Sequence, residues 1–314
     1  MLRPVTVAIP AIEEFRDRIA ALCPPGRRET PIPGVTLMRA DAPSTPGRVI
    51  YAPVVCFAAQ GRKRLIVADR TYSYDQAQYL VIAVDMPVIA GVVEASPAAP
   101  YLALALMVDP TRMASLLIDM PLAPGPRAPG IGIGPLDADL VDALLRLVRL
   151  VDRPGDVEVL APLIEREILY RLLCGPQGPM LRQIALADSR LAQIARAIAW
   201  IRENYSRPLR IAELAGLAAM SPATLHRHFR AVTALSPLQY QKRIRLHEAR
   251  GRMLAATADA QSVGFAVGYD SPSQFNREYA RLFGAPPLRD AERLRAAGGA
   301  RGRDATEPEA LISA

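Results

Sequence analysis

The sequence predicts an α+β protein: a strand-rich N-terminal domain of sandwich or small-barrel type, a helical linker, and an all-α C-terminal domain with two helix-turn-helix segments. Three observations predict it. Between Pro31 and Val108, short runs rich in Val, Ile and Tyr alternate with turn residues, and no helical crossover separates them. Beyond Pro135 the apolar residues recur at helical rather than strand spacing. Two later stretches, with second helices starting at Ser221-Pro222 and Ser271-Pro272, share inward aromatics and outward arginines. The 314 residues, 51% of them apolar, suffice for two domains with a core in each.

In chain order, the strand-like runs are VTLMRAD, RVIYAPVVCFAAQG, KRLIVADRTYSYD, AQYLVIAVDMPVIAGVVEA and YLALALMVD. APSTPG, Gly61-Arg62 and SPAAP punctuate them. Pro121 to Pro135 is dominated by Pro and Gly and predicts a loop. A helix follows with Leu140, Leu144, Leu147, Val148 and Val151 on one face, closed by Pro154-Gly155. The next carries Leu160, Leu163, Ile164, Ile168 and Leu172 on one face and stops at Gly175-Pro176. Asp188 or Ser189 caps a third, with Leu191, Ile194, Ala195, Ile198 and Ile201 inward. The last residues, RAAGGARGRDATEPEA, lack apolar periodicity, and a disordered tail is expected over 289–314.

Charge is unevenly placed. Residues 1–185 hold nineteen basic and nineteen acidic side chains, whereas 186–314 hold nineteen and twelve, which accounts for the whole net charge of +7. A neutral part joined to a basic part implies that the second meets a polyanion. No apolar run reaches the ~18 residues of a membrane span. Glu13, Glu14, Arg16, Asp17 and Arg18 occupy the place of a signal peptide's apolar region, so a soluble cytoplasmic protein is expected. Cys23, Cys56 and Cys174 are odd in number and far apart, which excludes a disulfide framework and a thiolate zinc site.

In RIAELAGLAAMSPATLHRHFRAVTALSP, Ile211, Leu214 and Ala215 form the inner face of a short helix, and Ser221-Pro222 starts a second. Leu225, Phe229 and Val232 then turn inward, and Ala223, His226, Arg227 and Arg230 turn outward. A helix that docks by one face and offers Arg and His on the other suits the major groove of DNA. In SVGFAVGYDSPSQFNREYARLFGAPP the pattern repeats: Phe275, Tyr279, Leu282 and Phe283 inward, Ser273, Gln274, Arg277 and Arg281 outward. Gly268 suits the left-handed stop of the first helix, while Gly264 within that helix is expected to soften it, at ~1 kcal/mol relative to Ala. Between the segments, Leu238 to Ala255 forms a helical pattern carrying Lys242, Arg243, Arg245, Arg250 and Arg252. At ~1.5 Å per residue it is ~27 Å long, close to the ~34 Å between successive major-groove faces.

Residues 190–287 resemble the DNA-binding domain of the AraC/XylS family of bacterial transcription regulators. IAELAGLAAMSPATLHRHFR, SPLQYQKRIRLHEAR and VGYDSPSQFNREYARLFGAPP carry the resemblance. It implies that Ala223, His226 and Arg227, then Ser273, Gln274 and Arg277, face bases; Ala223 is shorter than the side chain some members carry there. Arg230, Lys242, Arg243, Arg245 and Arg281 are expected near phosphates. The stretch from Cys56 to Leu106 resembles the sensor of one AraC-type subgroup, which implies a cupin-like β-barrel binding a small effector, and a dimerising helical linker. The expected domains are a sensor over 1–130, a linker over 131–185, a DNA-binding domain over 186–288 and the tail. Expected partners are double-stranded DNA, a small-molecule effector, a second copy docking through the apolar face of 136–152, and RNA polymerase, with no membrane and no cofactor.

An enzyme is the competing class, since cupin barrels also hold catalytic metals. All three histidines, His226, His228 and His247, lie in the basic part, so the barrel lacks the imidazoles that such sites use and any base for a cysteine nucleophile. Cys56 reads as a small buried hydrophobe, and Asp69, Asp75 and Asp85 read as turn residues. Tyr51, Tyr72, Tyr74 and Tyr79 either line a pocket or pack a core.

Overall fold

A computed structural model describes residues 9–118, 120, 129–186, 189–255 and 259–300. The chain divides after Ala192 into two compact units. Among the described residues no helix is long and apolar enough to cross a membrane.

The first unit opens with helix α1 (Ile9–Leu22) and strands β1 (Gly26–Glu29), β2 (Val35–Ala40), β3 (Gly47–Tyr51) and β4 (Val54–Gln60). β5 (Arg62–Val67), β6 (Arg70–Asp75), β7 (Gln78–Ile82), β8 (Met86–Glu94) and β9 (Tyr101–Met107) follow. These match the strand-like runs, with β1 and α1 as additions. All pairings are antiparallel, in a six-stranded sheet ordered β1-β2-β9-β4-β7-β10 and a four-stranded sheet ordered β3-β8-β5-β6. The expected barrel is thus a pair of sheets, not one closed ladder. Helix α2 (Pro110–Ile118) comes next, then β10 (Ile131–Pro135).

β10 corrects the loop expected over Pro121–Pro135 and the linker expected to begin at 131; residues 121–128 lie outside the described part. Its glycines look like turn residues but serve a strand. A Cβ on Gly134 would stand 2.4 Å from the Tyr79 ring, and one on Gly132 would stand 2.2 Å from Gln177 Oε1. Gln177 also donates to the Ile133 carbonyl at 2.8 Å. Bare backbone lets both side chains lie against the edge strand.

Helices α3 (Ala138–Arg149), α4 (Pro154–Cys174) and α5 (Gly178–Ala185) complete the unit, with a short 3₁₀ turn, Leu150–Asp152, before α4. Asp137 caps α3 by accepting from the Leu140 amide. Pro154 not only ends one helix but starts the next at its first turn. The apolar face of α3 is spent inside the unit against α1 and α4, with Leu140, Leu144, Leu147 and Val148 all buried. This corrects the docking face expected over 136–152. On α4 the buried stripe is Val157, Ala161, Glu165, Ile168 and Leu172, so Leu160 and Leu163, expected inward, are exposed. The misassignment has a charge at its centre: Glu165 is buried and paired to Arg112 of α2, so an acid occupies the stripe.

Helix α6 (Arg190–Glu203) buries Leu191, Ile194, Ile198 and Ile201 as expected. Ser189 accepts from the Ala192 amide at 3.0 Å, and Asp188 lies outside the described residues. The second unit continues with α7 (Ile211–Leu217), α8 (Pro222–Thr233), α9 (Pro237–Ala255), α10 (Ala260–Ala266), α11 (Pro272–Phe283) and α12 (Pro287–Ala300). Helix α12 corrects the tail expected from 289. Asp290, fully buried, draws it in by accepting from Arg250, Arg293 and the Tyr279 hydroxyl. Residues 301–314 lie outside the described part.

Candidate functional site

The second unit contains two helix pairs, α7–α8 and α10–α11, joined through α9. Ser221 and Ser271 cap the second helix of each pair, accepting from the amides of Thr224 and Gln274, and proline follows each. Leu225, Phe229 and Val232 of α8, and Phe275, Tyr279 and Phe283 of α11, are buried. Edge-on aromatic contacts fix both on α9, Phe229 with Tyr240 at 5.5 Å and Phe283 with His247 at 5.5 Å.

Two glycines set the second pair. Gly268 has φ +92°, and a Cβ there would stand 2.2 Å from the Ser206 carbonyl, so it is required both for conformation and for space. Gly264, expected to soften α10, instead admits Phe275: a Cβ would meet that ring at 3.0 Å. Its helix cost is offset by closer packing of α11.

On the outer faces Ala223, His226, Arg227 and Arg230 of α8 are exposed, as are Ser273, Arg277 and Arg281 of α11. Arg227, Arg230 and Arg277 make no hydrogen bond or ion pair among the described residues. Gln274 is half-buried, its Nε2 donating to Glu278 Oε1 at 3.1 Å. Glu278 also accepts from Lys242 Nζ at 2.6 Å and from the Tyr269 hydroxyl at 2.9 Å. Burial works against its charge, but these three hydrogen bonds outweigh it and hold the carboxyl below its ordinary range.

Helix α9 is less a phosphate-facing rod than a hub. Arg245 donates to the carbonyls of Tyr205, Arg207 and Gly268, tying α9 to the turn of the second pair. Arg250 pairs with Asp290 at 2.9 Å and stacks over Phe283, and Arg252 donates to the Tyr205 hydroxyl. The phosphate role expected of Arg245 is corrected accordingly, because its donors are committed inside the unit, whereas Lys242 places one of its three donors on Glu278 and stays partly exposed. Arg243 is half-buried.

In the first unit, a polar cluster lies on the inward faces of the sheets. Lys63, Leu65 and Val67 alternate inward on β5 while Arg62 and Arg64 face out. Lys63 pairs in register with Tyr74 and is 1% exposed. Its Nζ stands 5.5 Å from the Tyr51 ring and 5.8 Å from that of Tyr101, and the Tyr74 and Tyr101 hydroxyls are 3.1 Å apart. Burial raises the Tyr74 and Tyr101 phenols and the Cys56 thiol, which lies against the cluster. Of the tyrosines considered as pocket lining, Tyr51 and Tyr74 belong here, and Tyr72 is half-buried. Tyr79 shares the opposite face of its sheet with Phe57 and packs on Gly134. Sequence reasoning missed Lys63 and Tyr101. The alternation in Arg62-Lys63-Arg64-Leu65 contained the signal, since it puts Lys63 on the face of Leu65. Among the described residues no group of His, Cys, Asp and Glu is placed to hold a metal.

Two family models match this chain. One, described as the AraC-type transcriptional regulator N-terminus, spans residues 31–180, and a helix-turn-helix domain spans 214–293. The transcriptional activator RhaS of Salmonella schwarzengrund is 26% identical over 155 residues, covering 48% of this chain and 54% of that protein. RhaS of Klebsiella pneumoniae is 28% identical over 125 residues, 39% of this chain and 44% of that protein. The chain therefore spans about half the length of the curated relatives it matches. Among solved structures, an apo form of ToxT from Vibrio cholerae superimposes with TM-score 0.54 at 10% identity, covering 84% of this chain and 99% of that one. Unsaturated-fatty-acid-bound ToxT gives TM-score 0.51 at 10% identity, covering 82% and 93%. These likenesses establish the fold.

Proposed function

From the premise that this chain belongs to the AraC/XylS type of transcriptional regulators, we propose that it is a cytoplasmic, sequence-specific DNA-binding transcription factor responding to a small-molecule effector. One observation carries the reading. Helices α8 and α11, each capped by serine and seated on aromatics, present Arg227 and Arg277 to solvent without an internal partner. In this reading Ala223, His226 and Arg227 face bases from α8, and Ser273, Gln274 and Arg277 from α11. Arg230 and Arg281 lie beside phosphates. The effector binds the first unit and acts through different affinities for two states of the protein. RNA polymerase is the partner through which a bound regulator changes transcription.

The test is base discrimination. Arg227→Ala and Arg277→Ala each lose ~1–3 kcal/mol of preference at particular base pairs, read by competition binding or footprinting. If both variants keep the wild-type preference, the assignment is wrong.

A second copy docks in this reading through α4 rather than α3. Val159 (67% exposed), Leu163 (61%) and Tyr170 recur on one side of α4 at helical spacing. Arg166 and Glu167 lie beside them around a shallow depression that Leu116 also lines. An exposed apolar row with a polar rim suits a self-complementary contact.

A further inference from the structure

The first unit buries a lysine without giving it an opposite charge. Three carboxylate or ammonium groups are buried among the described residues: Lys63, Glu165 and Asp290. Glu165 is held by Arg112, and Asp290 by Arg250 and Arg293. Lys63 has neither. No carboxylate forms an ion pair with it among the described residues, and its neighbours are the phenols of Tyr51, Tyr74 and Tyr101 and the thiol of Cys56. An ammonium taken out of water is strongly destabilising unless an anion or a full set of acceptors replaces the solvent. An apolar side chain would serve this core better.

The hydrogen-bonding inventory points the same way. An ammonium brings three donors and each phenol one, against phenol oxygens as the only strong side-chain acceptors in the cluster. Positive charge is in surplus, since Lys63 bonds to the Tyr51 phenol and no carboxylate among the described residues balances it. The neighbouring inward positions are small: Ala58 pairs with Ala103, and Cys56 with Ala105, across β4 and β9. Short apolar side chains, all buried, thus pack beside the charged group.

We infer that the Tyr51–Lys63–Tyr74–Tyr101 cluster is the effector site, and that the effector is a small monocarboxylate held by the Lys63 ammonium and the phenol hydroxyls. This rests on the reading of the first unit as a sensor and specifies what it senses. A single ammonium, with Arg62 and Arg64 turned to solvent, matches one negative charge and not the two of a phosphate monoester. The close packing around Lys63 limits the body of that anion to a small one.

The experiment uses the full chain in thermal-shift and calorimetric titrations. The probes are benzoate, phenylacetate and the straight-chain carboxylates from butanoate to decanoate, each beside its primary amide. At least one carboxylate is expected to raise the melting midpoint by several degrees at millimolar concentration, while its amide does not. Lys63→Met abolishes that shift and leaves the unliganded midpoint unchanged or higher. Tyr101→Phe, which keeps the shape and removes a hydroxyl, weakens binding about tenfold, a change of ~1.4 kcal/mol. Lys63→Met binding the same carboxylate undiminished overturns the inference, as does a collapse of its unliganded midpoint, which makes the lysine structural. Amides that bind as well as their acids overturn the anion site but keep the sensor reading. If neither acids nor amides bind, both fall.

Discussion

Glu278 gathers Lys242, Tyr269 and Gln274 onto one carboxylate, and the consequence for Gln274 is directional. A carboxylate accepts only, so the amide nitrogen of Gln274 is held toward Glu278, and in the proposed reading its carbonyl oxygen is the group turned to DNA. Such an oxygen is expected to accept from a base amine, adenine N6 or cytosine N4. Glu278→Ala should therefore broaden preference at the one base pair Gln274 meets while the Arg227 position stays as sharp, measured by site selection from a random library. Equal loss at every position would mark Glu278 as a merely structural residue. The same network sets a pH dependence. Its folded-state pKa is depressed, so its stabilisation is complete above the ordinary carboxylate range and is lost as pH falls through and below it. Glu278→Gln flattens that acid-side fall in the melting midpoint.

At the level of elements, β10 and α4 show how one residue type changes meaning with its neighbours. The glycines of β10 belong to a strand because Tyr79 and Gln177 lie where their side chains would be. Gly134→Ala forces the Tyr79 ring aside and should destabilise the chain by about 1–3 kcal/mol, read from urea unfolding. Gly155, where a Cβ meets nothing within 4 Å, is the matched control. On α4 the exposed row and the buried stripe predict opposite outcomes. Leu163→Asp should turn a dimer into a monomer in sedimentation with little change in melting. Leu144→Asp, on the buried face of α3, should unfold the protein. A wild-type chain that sediments as a monomer removes the α4 interface.

Across the whole molecule, charge divides by task. The N-terminal 185 residues carry balanced charge, and the surplus lies beyond them. Much of that surplus is consumed internally: Lys242, Arg245, Arg250 and Arg252 hold the second unit together. DNA affinity should fall log-linearly with salt, and Arg230→Ala should reduce the slope by about 0.9 without changing base preference. Lys242→Met should leave the slope as it is and lower the melting midpoint instead. The sequence by itself determined the succession of strands, the two serine-capped helix pairs and the outward arginines, because period and capping are local properties that need no partner. Tertiary structure alone decided the rest. Arg245 and Arg227 are both basic residues on helices, and only the carbonyls packed against Arg245 make it a brace. Leu144 and Leu163 are both apolar, and only the arrival of α1 and α4 on α3 buries the one and leaves the other exposed. Lys63 reads as one of three consecutive cations until a second sheet closes over it. Desolvation and partner choice are set by what lies opposite a side chain in space, and neighbours along the chain do not contain that information.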